Sequence, residues 1–227
     1  MDDQFIIEGG NLDPTPPGPP KYPYLTIWYK PRGTMRAILD YNPEMWIYPL
    51  AALVGINQAF EYAARSNAGD ALDLWAILLL VAAGGPILGV IAIWIGGAIF
   101  AWIGGLFGGQ GTFQDVRAAL AWAAIPSIFT LALNLVSLLI LRQEAFTSTT
   151  PQMDAAIESN LFFAVVVILF GLGSIFLGII LTIWALIISV KTMAEAHQFS
   201  SWRGLATVAL PTIVLLGTVL ICVLPTL

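Results

Sequence analysis

Long stretches without charged residues are the feature that most constrains this chain. No Asp, Glu, Lys or Arg occurs in 45–60, 74–114, 118–141, 159–190 or 204–227. Most of these stretches reach the roughly 20 apolar residues that a helix needs to cross a bilayer. Only 10% of the residues are charged, whereas soluble domains carry about 25%. The sequence therefore predicts an all-α, polytopic membrane protein.

The charge-free stretches divide into five predicted transmembrane helices. They cover 46–64, 87–107, 120–141, 161–189 and 205–225. As one helix, 74–114 would be about 60 Å long at about 1.5 Å per residue, twice the hydrocarbon thickness of about 30 Å. We expect a break at Gly84-Gly85-Pro86, because proline removes a backbone donor and restricts the residue before it. Residues 72–83 are then a half-helix or interfacial segment joined to the second span.

The basic residues predict how these spans are oriented. Five spans with a cytoplasmic N-terminus place seven of the nine Lys and Arg residues inside and two outside. A sixth crossing by 72–83 would give five against four. Because cytoplasmic loops carry an excess of Lys and Arg, the five-span arrangement is favoured, with the C-terminus outside.

The chain ahead of the first span divides into two units. Residues 1–20 hold four acids, no base and a run of prolines, which predicts a flexible extended tail. Residues 21–45 interleave cations with aromatic rings, as the headgroup layer favours, and we expect a short interfacial helix from Pro31 to about Leu39. The cations expected to contact anionic headgroups are Lys21, Lys30, Arg32 and Arg36. Residues 46–227 form the third unit, the membrane domain.

Polar residues within the predicted spans are few. Asn57, Gln58 and Glu61 lie within about one turn of span one and can face one site. They are a proton, cation or headgroup contact, or else they bond to neighbouring helices. Asn134 and Ser137 in span three are expected to make interhelical hydrogen bonds.

Small residues at helical spacing predict close contacts between spans. Gly97, Ala101, Gly105 and Gly109 recur every four residues. Span four offers a similar stripe at Gly171, Ser174 and Gly178. In lipid, such stripes let helices approach closely. Packing within the chain is the favoured interpretation, and an oligomer is the alternative.

No residue pattern indicates catalysis or a cofactor. Ser174 lies among glycines, but the single histidine, His197, follows it at about 34 Å along a continuous helix of about 1.5 Å rise per residue. One His and one Cys are too few for a conventional zinc site. A net charge of −5 argues against binding to nucleic acid. We expect a protein without enzymatic activity, metal or cofactor.

Three ordered motifs remain. They are Gly108-Gly109-Gln110-Gly111-Thr112-Phe113-Gln114 before span three, Glu195-Ala196-His197-Gln198-Phe199-Ser200 before the last span, and Pro31 to Leu39 ahead of the first span. Together they resemble the Yip domain family, named for interaction with Ypt/Rab GTPases. The resemblance implies five spans and a cytosolic N-terminus. Eukaryotic members bind Rab GTPases and one another in vesicle traffic; the short tail here favours a bacterial or archaeal plasma-membrane protein.

The two loop motifs define a candidate cytoplasmic recognition surface. Its residues are Gly108, Gly109, Gly111, Phe113, Arg117, Glu195, His197, Phe199 and Arg203. A purely structural alternative is that the glycines allow a tight turn while Glu195, His197 and Arg203 hydrogen-bond across the loops. The predicted function is to organise membrane, lipid or partner proteins, with membrane lipids and a protein partner or second copy as binding partners. The alternative is a small-solute or lipid transporter or channel, with a cavity lined by the broken 72–107 region and the polar residues of span one.

Overall fold

The computed structural model of the protein describes residues 18–223, apart from the side chains of 212 and 215–223. Most of the predicted 1–20 tail therefore lies outside the described residues. Within them, every regular element is helical, which confirms the all-α prediction. The α-helices are α1 (Pro23–Thr26), α2 (Pro31–Tyr41), α3 (Ile47–Arg65), α4 (Leu74–Leu106), α5 (Phe113–Ala123), α6 (Ile125–Leu141), α7 (Pro151–Ser159), α8 (Leu161–Ala196) and α9 (Ser201–Val223). Short 3-10 turns cover Ala68–Asp70 and Arg142–Phe146.

Three helical segments are long and apolar enough to cross a membrane. They are Leu74–Leu106, Phe113–Phe146 and Leu161–Ala196. The second of these joins α5, α6 and the following turn, so it begins seven residues before the predicted start at 120. Helix α3 has 19 residues and α9 has 23. The count of five spans stays a prediction.

The predicted break at Gly84-Gly85-Pro86 is wrong, because α4 continues through it without interruption. Residues 74–83 are the first turns of this helix and not a separate half-helix. Proline removes one backbone hydrogen bond, and membrane helices tolerate this where a neighbouring helix packs closely. Here that neighbour is α3: a Cβ added at Gly85 would lie 2.8 Å from the Ile56 Cα. A helix longer than the hydrocarbon thickness tilts or extends beyond it.

Helix α2 confirms the predicted short helix after residue 30. It begins at Pro31, whose fixed φ suits the first helical position. We expected this helix to lie on the membrane surface with its apolar side toward lipid, but that side packs against other helices. Met35 and Ile38 are fully buried in one cluster with Ile188 of α8 and Ala119 of α5. The helix is therefore held by protein contacts.

The helix termini collect at two ends of the bundle. At one end, which we call the His197 end, the α4–α5 connection meets the α8–α9 connection, and the Gln110 amide donates to the His197 carbonyl (3.1 Å). At the other, the Arg65 end, the α3–α4 connection meets the turn that follows α6. There the Gln143 side chain donates to the Gly69 carbonyl (3.2 Å). Candidate functional residues lie at both ends.

Candidate functional sites at the two ends of the bundle

The His197 imidazole is the centre of the first site. His197 follows the last residue of α8 and is only 1% exposed. Its Nε2 lies 3.2 Å from the Phe100 carbonyl oxygen. The ring stacks on Phe199, with centroids 5.1 Å apart and planes 8° from parallel. Because a carbonyl only accepts, Nε2 carries the proton of the neutral ring, and Nδ1 has no partner among the described residues.

Glycines make the space that this ring occupies. A Cβ added at Gly109 would lie 2.7 Å from the imidazole Cγ. A Cβ at Gly111 would lie 2.9 Å from the Ala196 carbonyl carbon, and one at Gly104 would overlap the ring. Real Cβ contacts are not this short. The glycine motif and the histidine motif are therefore two halves of one packing arrangement.

The surroundings of His197 favour its neutral form. Burial lowers the pKa of His197 below its ordinary value of 6.5, and this effect outweighs the Phe100 carbonyl and the negative charge of Asp115, which both raise it. The ring therefore fits its glycine pocket as an uncharged group at neutral pH.

Glu195 connects the N-terminal segment to the end of α8. Its buried carboxylate pairs with Arg32, whose Nε lies 3.0 Å from Oε2, and with Arg36. The Arg32 Nη2 also donates to the Phe199 carbonyl (2.8 Å). One carboxylate thus binds two cations of α2. We call residues 21–41 the docked segment.

Arg117 forms a second buried charge at the same end. It is 3% exposed and pairs with Glu44, the last acid before α3. Its guanidinium lies against two rings that pack on each other, 4.3 Å from the Trp94 centroid and 4.8 Å from that of Phe113. A buried cation needs such partners, because transferring an ion from water into a protein interior costs several kcal/mol. This site ties α5 to both α4 and the residues before α3.

The predicted recognition residues do come together, and four of the nine lie in the interior. Arg117, Glu195, His197 and Phe199 are buried. Gly108 and Arg203 are exposed. The reason is that the 107–112 loop closes over the imidazole, so that Gly109 and Gly111 face His197 while Gly108 remains exposed. A recognition role for this end stays a prediction, and the exposed residues around the cluster would have to make the contacts.

Two of the four predicted headgroup cations form ion pairs within the protein and two do not. Lys21 and Lys30 are exposed and make no ion pair within the described residues. Arg32 and Arg36 pair with Glu195 while remaining 41% and 60% exposed. Contact of all four with headgroups stays a prediction.

The second site, at the Arg65 end, is a hydrogen-bond network around Asn57. The buried Asn57 Nδ2 donates to Glu61 (2.9 Å) and to the Thr130 hydroxyl (3.2 Å). Asn57 Oδ1 accepts from Asn134 (3.0 Å). The other carboxylate oxygen of Glu61 accepts from Arg65 (3.2 Å). The predicted interhelical role of Asn134 is confirmed, whereas that of Ser137 is wrong, since Ser137 makes no hydrogen bond among the described residues.

Gln58 does not join this network. It is exposed, and none of the described residues hydrogen-bonds to its amide. The structure therefore brings Asn57 and Glu61 together and leaves Gln58 on a neighbouring face. A polar cavity of about 280 Å³ adjoins the network and is lined by residues that include Glu61, Ser137 and Ser174. Ser174 is far from His197, consistent with their separation along α8.

Sequence reasoning missed Glu44, Thr130 and Gly55. Arg117 is the only Lys or Arg residue of α5, and a buried cation needs an acidic partner. Glu44, the only acid between Asp40 and span one, was the available candidate. Gly55 is the α3 half of a close helix contact, since a Cβ on Gly89 would lie 2.9 Å from its Cα. Neither Thr130 nor Gly55 carries a charge or stands in a motif. Their roles depend on which helices are neighbours.

The long apolar helices, joined by buried polar contacts at two ends, define an integral membrane protein. A family model for the Yip1 domain matches residues 25–224. The chain therefore belongs to the Yip1 domain family, and it is a membrane protein of the trafficking-family type. That family consists of non-enzymatic membrane proteins; the absence of activity in this chain stays a prediction. No curated protein and no solved structure matches the chain significantly.

Proposed function

We propose that this protein is a five-span, non-enzymatic membrane protein that organises protein partners at the cytosolic membrane surface through its docked segment. The observation that carries the proposal is the attachment of Arg32 and Arg36 to Glu195. This attachment holds residues 21–41 at a fixed place beside the end of α8, so that its outer face is a defined surface.

The composition of that outer face supports a binding role. Its exposed side chains include Tyr22, Tyr24, Tyr29, Lys21 and Lys30. Tyrosine and tryptophan are enriched at membrane–water interfaces and in protein interfaces, because they combine an apolar ring with a polar group. Cations near the surface gain about 1 kcal/mol each from anionic lipid. The docked segment therefore suits a partner that is itself at the membrane, including a second copy of this chain.

Orientation follows from the charge distribution. With five spans, α3, α4, the α5–α6 segment, α8 and α9 cross alternately, and the His197 end is cytosolic. The plasma membrane of a bacterium or archaeon is the proposed location. Eukaryotic members of the family bind Rab GTPases, and a cytosolic docked segment places the binding surface on the same side.

Photo-crosslinking in native membranes tests this function. A photoreactive amino acid replaces Tyr29, which is 65% exposed, in the full chain. The matched control carries it at Leu139, which is 81% exposed near the Arg65 end. We expect a discrete protein adduct, to a partner or a second copy, from position 29, and a lower yield of it with Glu195→Gln. Identical adducts from both positions, or none from position 29, would contradict the proposal.

One observation favours a second function, a transporter of small polar solutes. The polar cavity beside Glu61 contains the buried Ser174 hydroxyl, which has no hydrogen-bond partner in the described part of the chain. The continuous α4 removes the broken helix on which the transporter alternative partly depended. Flux of labelled solutes in liposomes distinguishes the two functions. Flux that falls with Glu61→Gln supports the transporter, whereas adducts at position 29 without flux support the organiser.

A further inference from the structure

A large cavity lies between α3 and α4 at the Arg65 end. Its volume is about 800 Å³, within the range of about 300–1,000 Å³ typical of ligand sites. Its floor is formed by the buried Gly55, Ala63 and Val81, and its sides by exposed residues that include Tyr62 and Leu80. We call this cavity the α3–α4 groove. It is separate from the docked segment, so the inference below does not depend on the proposed function.

The groove has the length of one membrane leaflet. Along α4 its lining runs from Ile77 to Leu88, about 16 Å at about 1.5 Å per residue. Along α3 it runs from Gly55 to Arg65, about 15 Å by the same rise. Half of the hydrocarbon thickness is about 15 Å. An occupant that fills the groove therefore extends from the helix termini to about the middle of the membrane.

Polar and apolar groups are segregated along that length. Charged groups line only the terminal part, where Glu61 and Arg65 form an ion pair at 3.2 Å. Their side chains are 36% and 69% exposed, so both charges remain accessible. Apart from Gln58, the deep part, down to Leu88, is lined by glycine and aliphatic side chains. This is the pattern that suits an amphiphile with its polar group at the helix termini.

The Glu61 carboxylate is held in place from behind. The Asn57 amide, anchored to α6 through Thr130 and Asn134, donates to it at 2.9 Å. Glu61 therefore keeps a fixed position beside the groove while Arg65 retains unused N–H donors. Gln58, one turn deeper by about 4.5 Å, also lines the groove and has no hydrogen-bond partner among the described residues. A bare amide at membrane depth is unfavourable, so a polar group of the occupant at this level would stabilise it.

We propose that the α3–α4 groove binds one zwitterionic glycerophospholipid. Its phosphate contacts Arg65, its ammonium contacts Glu61, its ester region lies at the level of Gln58, and one acyl chain follows the wall formed by Leu80 and Leu88. Adjacent charges of opposite sign match a zwitterion, whereas a purely anionic headgroup carries no cation that could pair with the Glu61 carboxylate. In the five-span arrangement this lipid belongs to the outer leaflet.

Lipid titration of the purified full-length protein tests the proposal. Delipidated protein in a non-ionic detergent is titrated with phosphatidylethanolamine, phosphatidylglycerol, diacylglycerol or inorganic phosphate. Binding is measured by native mass spectrometry and by the shift of the thermal midpoint. We expect saturable binding of phosphatidylethanolamine and about tenfold weaker binding of phosphatidylglycerol, as expected when one charge-assisted contact is lost.

Two variants and two matched controls identify the site. Arg65→Gln removes the phosphate contact, and Leu80→Trp fills the groove; each should weaken binding by about tenfold or more. The controls are Arg142→Gln, another exposed arginine near this end, and Leu79→Trp, an exposed leucine of α4 that does not line the groove. Both should bind as the unmodified protein does.

Four results would overturn the proposal. The first is equal affinity for phosphatidylglycerol, which would leave the ammonium contact without effect. The second is equal binding of diacylglycerol, which would show that the headgroup is not recognised. The third is a phosphate effect as large as that of the lipid, which would reduce the site to an anion contact. The fourth is unchanged lipid binding in Arg65→Gln, an exposed substitution that leaves the fold intact.

Discussion

Removing the Glu195 carboxylate should weaken the attachment of the docked segment. Glu195→Gln keeps the side-chain volume but removes the charge that pairs with Arg32 and Arg36. Hydrogen bonds to charged groups contribute about 1.5–3 kcal/mol each when both partners are buried. Here the arginines are 41% and 60% exposed, so water replaces much of the loss, and exposed pairs contribute about 0.2–1 kcal/mol each. We therefore expect about 1.5 kcal/mol in total from the two pairs.

Hydrogen–deuterium exchange measures this change locally. A loss of about 1.5 kcal/mol in the opening free energy of α2 corresponds to about tenfold faster amide exchange. The increase should be confined to α2 and the residues it contacts, while α4 and α6 stay unchanged. Asp40→Asn is the matched control, because Asp40 is an exposed acid on α2 that makes no ion pair within residues 18–223. Unchanged exchange in Glu195→Gln, or an equal rise in the control, would refute the reasoning.

Three further predictions concern stability in detergent. Gly89→Ala places a Cβ against the α3 backbone and should destabilise the folded protein by about 1–3 kcal/mol. Gly84→Ala has open space around it and should stabilise the folded protein by about 0.5–1 kcal/mol. Denaturant unfolding compares the two variants, and equal effects would contradict the close contact. Asn57→Ala should cost about 1 kcal/mol and Ser137→Ala, which makes no hydrogen bond among the described residues, almost nothing, so similar unfolding midpoints would refute the network. Because burial lowers the pKa of His197, the folded protein binds fewer protons than the unfolded chain below pH about 6.5. The contribution of His197 to stability is therefore complete above that pH and falls below it. If the thermal midpoint of His197→Gln drops between pH 7 and 6 as much as that of the unmodified protein, another group is responsible.

Local signals in the sequence predicted local structure well. Pro31 after a basic residue predicted the start of α2, and Asn134 in span three was predicted to make an interhelical hydrogen bond, which it makes to Asn57. These predictions succeeded because each depends on helix geometry or on the cost of a polar group in lipid, and both are visible in one segment. The break at Pro86 failed for the opposite reason. Proline alone disfavours a helix, but close packing of Gly85 on α3 stabilises the continuous helix. That neighbouring helix cannot be identified from the local sequence.

The site at the His197 end shows the same limit. The motifs at 108–114 and 195–200 were identified as related, but their residues were expected on a surface. His197 is buried instead, because the glycines of the 108–114 motif enclose its ring, a contact between positions nearly 90 residues apart. The binding of Arg32 and Arg36 by Glu195 joins positions about 160 residues apart. No periodicity or spacing rule predicts such a pairing from one sequence.

Everything proposed for the docked segment depends on the His197 end facing the cytosol. Thiol labelling measures this directly in a Cys222→Ser background. One variant carries Gln110→Cys at the His197 end, and the other carries Gln152→Cys on α7, near the Arg65 end; both positions are exposed. With a membrane-impermeant maleimide, we predict labelling of position 152 in intact cells and of position 110 only after permeabilisation. Labelling of position 110 in intact cells would contradict a cytosolic docked segment.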